Sequence, residues 1–462
     1  MSNDVGKTSH IEIVQNPDVL EFLKSCSFMR EPTGDEVDEI ISSFAQISNF
    51  ENESLPENLI TINSSSYEAS VRDDIPYTNI GYVKLVTTLL KNNELLKLSK
   101  DKFIDPFHVA KLMDEKETIP FVLPSSNIKY EDCDTTVESF RRALDDFFEQ
   151  TRETKYDRKT SLKATLYWVA SYADKNDTDK IVLHKCPYDD CDRESITVYD
   201  IEEAQYCPCC GRRVYATDRL RLYEEIDDFA PSNQGVLKRF EKLMRHVYLA
   251  HLLRIIRLNN KETSLKVLND LAIIINGPLA VMGTAAWIHG CLMKIINEIN
   301  LELRSKGYND LLIIGVIGEG QTICSYAHLI NKHIPNERIL SISDEFRDKY
   351  INFNRQASST TFGAETYYGQ DFIWKTKNGN LMIFDLPYFT RDKSNKAAFK
   401  TEKSDYTKYN NLHRAMHLLY DMRSDMDDSS ITPLVVSKQY TAISMEPGSK
   451  VLDLLSKNLI IE

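Results

Sequence analysis

Residues 271–278 read Leu-Ala-Ile-Ile-Ile-Asn-Gly-Pro, an apolar run that stops at Asn276 and is followed by a Gly-Pro turn. A second run of the same kind starts at Leu311 and ends at the turn Gly318-Glu-Gly320, and a helical pattern follows each run. Strands that are apolar along their whole length are buried on both faces, and their alternation with helices is typical of a layered sheet. The sequence therefore predicts an α/β fold.

Two further patterns bear on the sheet. Asn58-Leu-Ile-Thr-Ile-Asn63 is a short apolar, β-branched run followed by three serines, which predicts a buried strand that opens into a loop after Asn63. Near the C-terminus, the strand-like runs 371–376 and 381–386 flank Asn378-Gly379, a corner that predicts an antiparallel hairpin. The predicted sheet is therefore mixed rather than wholly parallel.

Length and composition indicate more than one folded unit. The chain has 462 residues, of which 42% are hydrophobic, so we expect two or three units. Apolar residues at three- and four-residue steps in 18–25 and 35–47 predict a small helical N-terminal region at residues 1–55. Residues 56–180 and 221–462 are expected to form the larger domain, and residues 181–220 an insertion in it.

That insertion contains a cysteine cluster that predicts a metal site. Four thiolates in two close pairs, Cys186-Pro-Tyr-Asp-Asp-Cys191 and Cys207-Pro-Cys-Cys210, can enclose one tetrahedral Zn²⁺ ion. We predict a zinc ribbon whose structural ion is bound by Cys186, Cys191, Cys207 and Cys210. Cys209 is a surplus thiol and His184 an alternative ligand. The competing interpretation is a chance crowding of surface cysteines.

Apolar runs, the N-terminus and the cysteines indicate the cellular compartment of the protein. No apolar run is long enough for a membrane-spanning helix, and the N-terminus lacks the basic-then-apolar pattern of a signal peptide. Several of the nine cysteines are scattered outside the cluster, which fits a reducing compartment. We therefore expect a cytoplasmic protein.

The net charge of −13 argues against a protein that coats nucleic acid, because such binding uses many Lys and Arg side chains. Any contact with nucleic acid is expected to be local, or shared with a partner. Residues 236–258 combine helical apolar spacing with basic side chains, and the candidate DNA-binding residues in this stretch are Lys238, Arg239, Lys242 and Arg245. The competing interpretation is a solvated face on a core helix.

The corners of the predicted strands carry amides. In open α/β sheets the reacting groups collect beyond the C-terminal ends of the strands, and metal-dependent phosphodiester cleavage needs carboxylates there. Asn63 and Asn276 occupy those corners in this chain. An amide oxygen can contact a cation but brings no negative charge, so two asparagines would bind Mg²⁺ or Mn²⁺ much more weakly than two aspartates.

Several motifs, in the same order along the chain, resemble those of NurA nucleases. Residues 60–68, Ile-Thr-Ile-Asn-Ser-Ser-Ser-Tyr-Glu, resemble the family's opening strand, which ends in Asp-Gly-Ser, and an Ile-Gly-Tyr segment follows in both. Residues 275–280 resemble the family's Asp-Gly-Pro-Leu motif. The resemblance runs from residue 55 to residue 450 around the ribbon, with further similar segments at 316–320, 343–351, 368–369 and 433–448.

The resemblance implies an RNase H-like core that acts on DNA ends with Mn²⁺ or Mg²⁺, works as a homodimer and docks on a ring-shaped HerA ATPase that moves DNA. Members of the group work in DNA repair or in anti-phage defence. We therefore expect an RNase H-like mixed sheet flanked by helices, with the zinc ribbon inserted, and we expect DNA and a HerA-type hexameric ATPase as partners.

The chain departs from the family where the resemblance places the catalytic metal. Asn63 and Asn276 stand at two aspartate positions, the family's Glu-Lys-Ser-Gly reads Ile317-Gly-Glu-Gly320, and Lys438 stands where a histidine is usual. This is the pattern of a retained scaffold that has lost its metal site. Deliberate Asp-to-Asn replacement is the alternative, although it does not account for Ile317 or Lys438.

The sequence leaves three hypotheses of function open. The degenerate site is predicted to comprise Asn63, Asn276, Glu68 and Glu319. Two further carboxylates could help to rebuild a metal site: Asp385, within or near the matched segments, and Glu138, in a Ser-Phe-Arg helix. The competing interpretation of each of these acids is a solvated or capping side chain. The first hypothesis is a NurA-like DNA-processing subunit with weak or absent cleavage, which would use Mn²⁺ or Mg²⁺ only if it is active. The second is a non-catalytic adaptor that caps and regulates the ATPase ring. The third is a zinc-ribbon nucleic-acid binder with an unrelated α/β domain.

Overall fold

The structure, a computed structural model, describes residues 15–26, 29–72, 74–75, 77–94, 116–174, 177–318, 320–352, 361–423 and 431–441. The helices are α1 (Pro17–Ser25), α2 (Gly34–Ser42), α3 (Thr136–Gln150), α4 (Leu162–Asp174), α5 (Gln234–Arg257), α6 (Lys261–Asn269), α7 (Ile288–Ser305), α8 (Thr322–Ile330), α9 (Asp344–Phe346), α10 (Lys396–Glu402), α11 (Leu412–Asp421) and α12 (Thr432–Thr441). The strands are β1 (Ala45–Gln46), β2 (Asn58–Ser70), β3 (Asn79–Lys91), β4 (Lys116–Ser126), β5 (Lys180–Lys185), β6 (Glu194–Tyr199), β7 (Gln205–Tyr206), β8 (Arg213–Val214), β9 (Leu271–Asn276), β10 (Leu312–Val316), β11 (Arg338–Ser341), β12 (Gly369–Lys375) and β13 (Leu381–Pro387).

A large mixed sheet organises the molecule. Its nine strands follow the order β1-β11-β12-β13-β10-β9-β2-β3-β4. β2, β9 and β10 are parallel neighbours, whereas the remaining pairs, including the predicted β12–β13 hairpin, are antiparallel. The prediction of an α/β fold with a mixed sheet flanked by helices is confirmed.

The sheet has a hydrophobic core on each face at its β12–β13 end. Side chains alternate along a strand, so Phe372 and Trp374 belong to the larger core while Ile373 belongs to a second one. Leu381 and Ile383 on the neighbouring strand also pack in the second core. Burial on both faces accounts for the nearly continuous apolar composition of these strands.

Strand β2 is longer than we expected. The prediction of a loop after Asn63 was wrong, because the strand continues through the serines to Ser70. The serines stay extended because they pair with β3 in register, as far as Ser70 opposite Asn79. Parallel pairing with β9, by contrast, ends at Ile62 opposite Ile275. Asn63 therefore lies where the ladder between β2 and β9 ends while β2 itself runs on.

Helix α5 spans Gln234–Arg257, close to the predicted 236–258. It packs against β2 and β3 through an apolar stripe, and Leu237 fits above Gly81 on β3, where any Cβ would overlap the leucine side chain. This contact holds the N-terminal part of α5 against β3, at the residue that pairs with Glu68 of β2. Its buried apolar residues include Val236, Phe240, Leu243 and Val247.

The turn after β9 needs glycine at its first position. Gly277 has φ 119°, in a region that residues with a Cβ rarely adopt. The chain then runs through Leu279, whose N–H donates to Asp385 Oδ2 at 2.8 Å and whose carbonyl accepts the Tyr368 N–H at 2.8 Å. These bonds tie the turn to β12 and β13, so its position is set by the sheet.

The cysteine segment consists of two small hairpins. β5 pairs with β6 and β7 with β8, both antiparallel. The buried residues of these hairpins belong to the same hydrophobic core as the large sheet. A buried ion pair between Arg141 of α3 and Asp218, with Nε 2.8 Å from Oδ1, holds the segment that follows the hairpins. The cysteine segment is therefore packed on the main body.

The N-terminal region supplies helices and one edge strand. β1 pairs antiparallel with β11, and Ile40 of α2 packs with Phe44 in the second core. The capping box of Thr33 and Glu36 begins α2. In the part of the chain that the structure describes, none of the helices combines the length and apolar character needed to cross a bilayer.

Candidate functional site

Asn63 and Asn276 are in contact at the ends of adjacent parallel strands. Asn276 Nδ2 donates to Asn63 Oδ1 at 2.7 Å, and the Ser64 N–H donates to the same oxygen at 2.9 Å. On its other side, Asn63 Nδ2 faces α12 and lies 3.0 Å from Thr441 Oγ1 and 3.3 Å from Ser437 Oγ. Asn63 is 1% exposed. Both ends of this buried amide are therefore satisfied by protein groups.

An ion pair on α5 joins the same strands from the opposite face. Glu241 accepts hydrogen bonds from Ser64 Oγ at 3.1 Å and from Ser66 Oγ at 2.9 Å. Arg245, one turn later, donates to Ser64 Oγ at 2.5 Å, to the main-chain oxygen of Asn276 and to Glu241. The two charged side chains are only 11% and 13% exposed. The pair therefore links β2, β9 and α5 in surroundings largely shielded from water.

A cavity of about 520 Å³ opens beside Asn276, between α5 and the turn 277–282. All four residues predicted to bind DNA line it, and α12 adds a fifth cation. None of the described residues that line the cavity is acidic. Its charged lining consists of Lys238, Arg239, Lys242, Arg245 and Lys438.

The cations of the cavity differ in how they are held. Arg239 Nε lies 2.7 Å from Glu225 Oε2, so its charge is paired. Lys238 and Lys242 are exposed and have no ion pair within the described part of the chain. The Lys438 ammonium lies beside the main chain of Gly318. The lysines leave positive charge available to an anionic ligand, and phosphate oxygens are common partners of lysine.

Of the two predicted carboxylates, the one that the structure describes is not beside the asparagines. Glu68 lies further along β2, where it accepts hydrogen bonds from Ser125, Ser232 and the Asn233 N–H, the last at 3.0 Å. It thereby holds the start of α5 against β2 and β4. Glu319 lies outside the described residues.

The other two acids considered from the sequence also have structural contacts. Asp385 is fully buried opposite Asp371 and accepts the Leu279 N–H. Burial, followed by the negative charge of Asp371, raises the pKa of Asp385 well above its ordinary value. Glu138 accepts a hydrogen bond from Tyr188 Oη at 3.1 Å. Neither carboxylate lines the cavity.

His246 is a residue of this cavity that the sequence analysis did not single out. Its Nδ1 lies 2.8 Å from the hydroxyl of Tyr368. Burial, with a smaller effect from the charge of Arg245, lowers the pKa of His246 to about 3. The imidazole is therefore neutral at physiological pH, so it packs α5 against Tyr368 without adding charge.

Other functional neighbours were missed for different reasons. Glu241 and Arg245 are four residues apart, a spacing that predicts a helical ion pair and could have been read from the sequence. Ser437 and Thr441 share the same spacing on α12, but their contact with Asn63 spans 374 and 378 residues of sequence. Only tertiary packing brings them to the site.

The four predicted cysteine ligands converge. Their sulfur atoms all lie within 4.8 Å of one another, and three of the four residues are buried. Backbone bonds shape the two turns, with the Cys191 N–H donating to Tyr188 O at 3.0 Å and the Cys207 N–H to Arg212 O at 2.8 Å. Cys209 is exposed, and His184 lines a separate cavity. Four thiols at this separation could bind a metal ion such as zinc: Cys186, Cys191, Cys207 and Cys210.

The described residues at the strand ends, in contrast, do not fit Mn²⁺ or Mg²⁺. Such ions are held by carboxylate and carbonyl oxygens. Here the Asn63 and Asn276 side chains bond to each other, and the Arg245 guanidinium already contacts the main-chain oxygen of Asn276. Among the described residues, the cysteine quartet is the one group of three or more His, Cys, Asp or Glu side chains close enough to share an ion.

No protein-family model, curated protein or solved structure matches this chain.

Proposed function

We propose that this chain is a NurA-like DNA-processing subunit that binds DNA in the cavity beside Asn276. It works with a HerA-type hexameric ATPase in DNA end processing or anti-phage defence, and its own nuclease activity is weak or absent. The observation that carries the proposal is the contact between Asn63 and Asn276 at neighbouring parallel strand ends, beside a cavity lined by cations.

The strand order supports an RNase H-like core. β2, β3 and β4 form an antiparallel meander, and β9 and β10 follow on the other side of β2 and run parallel to it. The motif resemblance assigns the family's two metal-binding aspartates to the positions of Asn63 and Asn276. The contact between these two residues is what that resemblance requires of the fold.

Electrostatics supports DNA as the ligand. The net charge of −13 repels a polyanion over most of the surface, so binding depends on a local concentration of positive charge. Lys238 and Lys242 are four residues apart on one face of α5, and both line the cavity. Lys438 and uncharged residues of the turn 277–282 also line the cavity.

DNA binding is tested with Lys238→Met/Lys242→Met and a fluorescently labelled single-stranded oligonucleotide. We expect the affinity to fall at least about tenfold, and the slope of log K against log salt to become shallower by about 1.4, since two phosphate contacts are removed. The matched control, Lys266→Met/Lys306→Met, changes two exposed lysines that do not line this cavity. Equal effects of the two double variants would contradict binding in the cavity.

Cleavage is tested separately, with linear DNA and Mn²⁺ in the presence and absence of the ATPase. The proposal predicts little or no cleavage by the chain itself. Robust cleavage that disappears in Glu68→Ala or Glu319→Ala would overturn the inactive reading. If Cys186→Ser and Cys207→Ser abolish DNA binding while the sheet stays folded, the ribbon rather than the cavity is the DNA-binding element.

The neutral strand ends also favour a second candidate, a homodimeric adaptor that caps the ATPase ring and regulates its turnover. It predicts co-elution with a HerA-type ring and a change in ATP hydrolysis that persists in Lys238→Met/Lys242→Met. Light scattering reports whether the chain is a dimer. A chain that neither binds the ring nor alters its ATPase rate would exclude the adaptor function.

The cysteine quartet completes the proposal with Zn²⁺ as its metal, in a ribbon that is structural. A closed set of four thiolates leaves no position open for substrate, so zinc here would stabilise the two hairpins rather than catalyse a reaction.

A further inference from the structure

Arg245 is placed differently from the other cations of the cavity. Its side chain is 13% exposed, whereas Arg239 is 39% exposed and Lys238 and Lys242 lie open to solvent. It reaches inward from α5 to the point where β2 and β9 separate. Its guanidinium therefore lies at the strand ends on the α5 face of the sheet, bonded to the main chain of Asn276, and one edge of it still lines the cavity.

Three oxygens of different kinds converge on this guanidinium. They are the hydroxyl of Ser64 on β2, at 2.5 Å, the main-chain oxygen of Asn276 at the end of β9, and the carboxylate of Glu241. Hydroxyl, carbonyl and carboxylate oxygens around one positive centre are also the surroundings of a hard divalent cation. Here the positive centre is the guanidinium of Arg245 instead of a metal ion.

The backbone leaves room for the guanidinium. Gly277 has φ 119°, and a Cβ at this position would lie 3.0 Å from Arg245 Nη1. That separation is tighter than ordinary van der Waals contact, so a larger residue would press on the arginine. The glycine that shapes the turn therefore also opens the space that Arg245 fills.

The charges of the described residues at the strand ends balance without a metal ion. Glu241 contributes one negative charge and Arg245 one positive charge, and they are bonded to each other. The other described groups bonded to this pair are uncharged, namely the hydroxyls of Ser64 and Ser66 and the main-chain oxygen of Asn276. A second cation beside Arg245 would be repelled by it, and none of the described residues that line the cavity is a carboxylate.

We propose that Arg245 is the resident cation of the strand-end site. It holds the oxygen ligands where β2 and β9 separate, excludes Mn²⁺ and Mg²⁺ from that place, and presents fixed positive charge to a phosphate group in the cavity. Nucleic acid therefore binds here without a metal ion. The inference deepens the proposed function and rests on it only for the identity of the phosphate ligand.

The first test uses Mn²⁺ as the probe and contains no DNA. Mn²⁺ binding is measured by electron paramagnetic resonance in zinc-loaded wild type, in Asn63→Asp/Asn276→Asp, and in Asn63→Asp/Asn276→Asp/Arg245→Met. We expect no binding at this site in wild type, weak binding in the double variant, and binding at least about tenfold tighter in the triple variant, because a repelling charge is gone. Equal Mn²⁺ affinity in the double and triple variants would overturn the proposal, and so would stoichiometric binding by wild type.

Loss of Arg245 could unfold the site, because Glu241 would keep an unpaired charge. Each variant is therefore checked by thermal unfolding, and Arg245→Lys is made in the same aspartate background. Lysine keeps the charge, so the proposal predicts that Mn²⁺ binding stays weak in that variant. Arg239→Met is the matched control, since it removes a cavity arginine that does not contact the strand ends, and it should leave Mn²⁺ binding in the double variant unchanged.

The second test measures binding of the single-stranded oligonucleotide to wild type with excess EDTA and with Mn²⁺. We expect the same affinity within about twofold, since the charge that meets the phosphate is covalently fixed. Binding that requires Mn²⁺ would contradict a resident cation. If wild type does not bind the oligonucleotide in either condition, the proposed function fails, while the Mn²⁺ measurements still decide the role of Arg245.

Discussion

Asn63 and Asn276 form a pair that two aspartates could not form without help. An amide offers a donor and an acceptor, so one side chain donates to the other at 2.7 Å and both remain neutral. Two carboxylates at that separation would repel each other unless they shared a proton or a cation. The two asparagines therefore stabilise the junction of β2 and β9 by themselves.

Asn63→Asp tests this view of the pair. The change places a carboxylate in a site that is 1% exposed, where Arg245 is already bonded to Glu241. We expect a loss of about 1–3 kcal/mol in the free energy of unfolding at neutral pH. The new carboxyl should have a raised folded pKa, so the loss should shrink as the pH falls toward about 3.9. Urea unfolding across pH measures it.

The control for that change is Asn309→Asp, which places the same carboxylate at an exposed loop position. It should leave the free energy of unfolding within about 0.5 kcal/mol of wild type. If Asn63→Asp is as well tolerated as Asn309→Asp at every pH, the amide pair is not a stabilising feature of the site.

Asp385 carries a pH dependence of a defined sign. Burial raises its folded pKa well above the ordinary value, so the native state binds a proton that the unfolded state releases. Stability is therefore highest below the unfolded pKa of about 3.9 and falls as the pH rises from there through the folded pKa. Asp385→Asn keeps an acceptor for the Leu279 N–H and removes the ionisation, so we expect it to be about 1–3 kcal/mol more stable than wild type at neutral pH.

The advantage of Asp385→Asn should vanish in acid, and unfolding measured at a series of pH values follows it. Asp392→Asn should show the opposite dependence of stability on pH. Hydrogen bonds from the side chain and backbone of Ser394 lower the pKa of Asp392, so its removal should reduce stability at neutral pH and have no effect in acid. A constant gap between wild type and Asp385→Asn at all pH values would contradict a buried protonated carboxyl.

At the scale of single elements, the turn after β9 is the most constrained part of the site. Gly277→Ala forces a Cβ into a left-handed backbone position and toward Arg245. We expect it to lower the free energy of unfolding by about 1–3 kcal/mol and to weaken oligonucleotide binding. Gly290→Ala in α7 is the control, because no atom lies within 4 Å of the new Cβ and alanine favours a helix. Equal stability of the two variants would show that the turn is not strained.

We expect the two cysteine hairpins to depend on a bound metal for their shape. They are short, so the bound ion should supply much of the energy that orders them. Metal analysis should find about one zinc per chain, and Cys186→Ser or strong chelation should expose the hairpins to protease while the large sheet stays folded. Cys209→Ser, at the exposed surplus thiol, should change neither. A zinc content far below one per chain would contradict the site.

Much of the fold could be predicted from local sequence patterns. β9 and the β12–β13 hairpin were predictable because their apolar runs and turn residues are contiguous in sequence, and α5 because its apolar stripe repeats over several turns. The extension of β2 was not predictable, since a run of serines resembles a loop. Those serines are satisfied by Glu241 and Thr441, whose positions depend on the packing of α5 and α12.

The site was only partly readable from the sequence for the same reason. The motif resemblance predicted that Asn63 and Asn276 belong to one site. The basic residues predicted to bind DNA include four of the cations that line the cavity. Glu68 was grouped with them by its place in the motif, yet alternate residues of a strand face opposite ways, and it lies further along β2. The contacts of Arg245 at the strand ends could not be predicted, because they join residues that are distant in sequence.

The whole molecule brings remote segments to one place. Asn63 and Asn276 are 213 residues apart in sequence, and Thr441 lies 378 residues from Asn63. The strand-end site therefore exists only when the large sheet is complete and α12 is docked. The chain has a net charge of −13, but the cavity is lined by cations. We therefore expect the positive charge of the cavity to select an anionic ligand.

The most direct measurement is a crystal structure of the zinc-loaded chain with a short single-stranded oligonucleotide and Mn²⁺, using anomalous scattering to locate the metals. The account predicts a phosphate in the cavity between Lys242 and Lys438, with Arg245 bonded to Asn276 and no Mn²⁺ signal beside the two asparagines. A Mn²⁺ peak coordinated by Asn63 and Asn276, with Arg245 displaced, would contradict it.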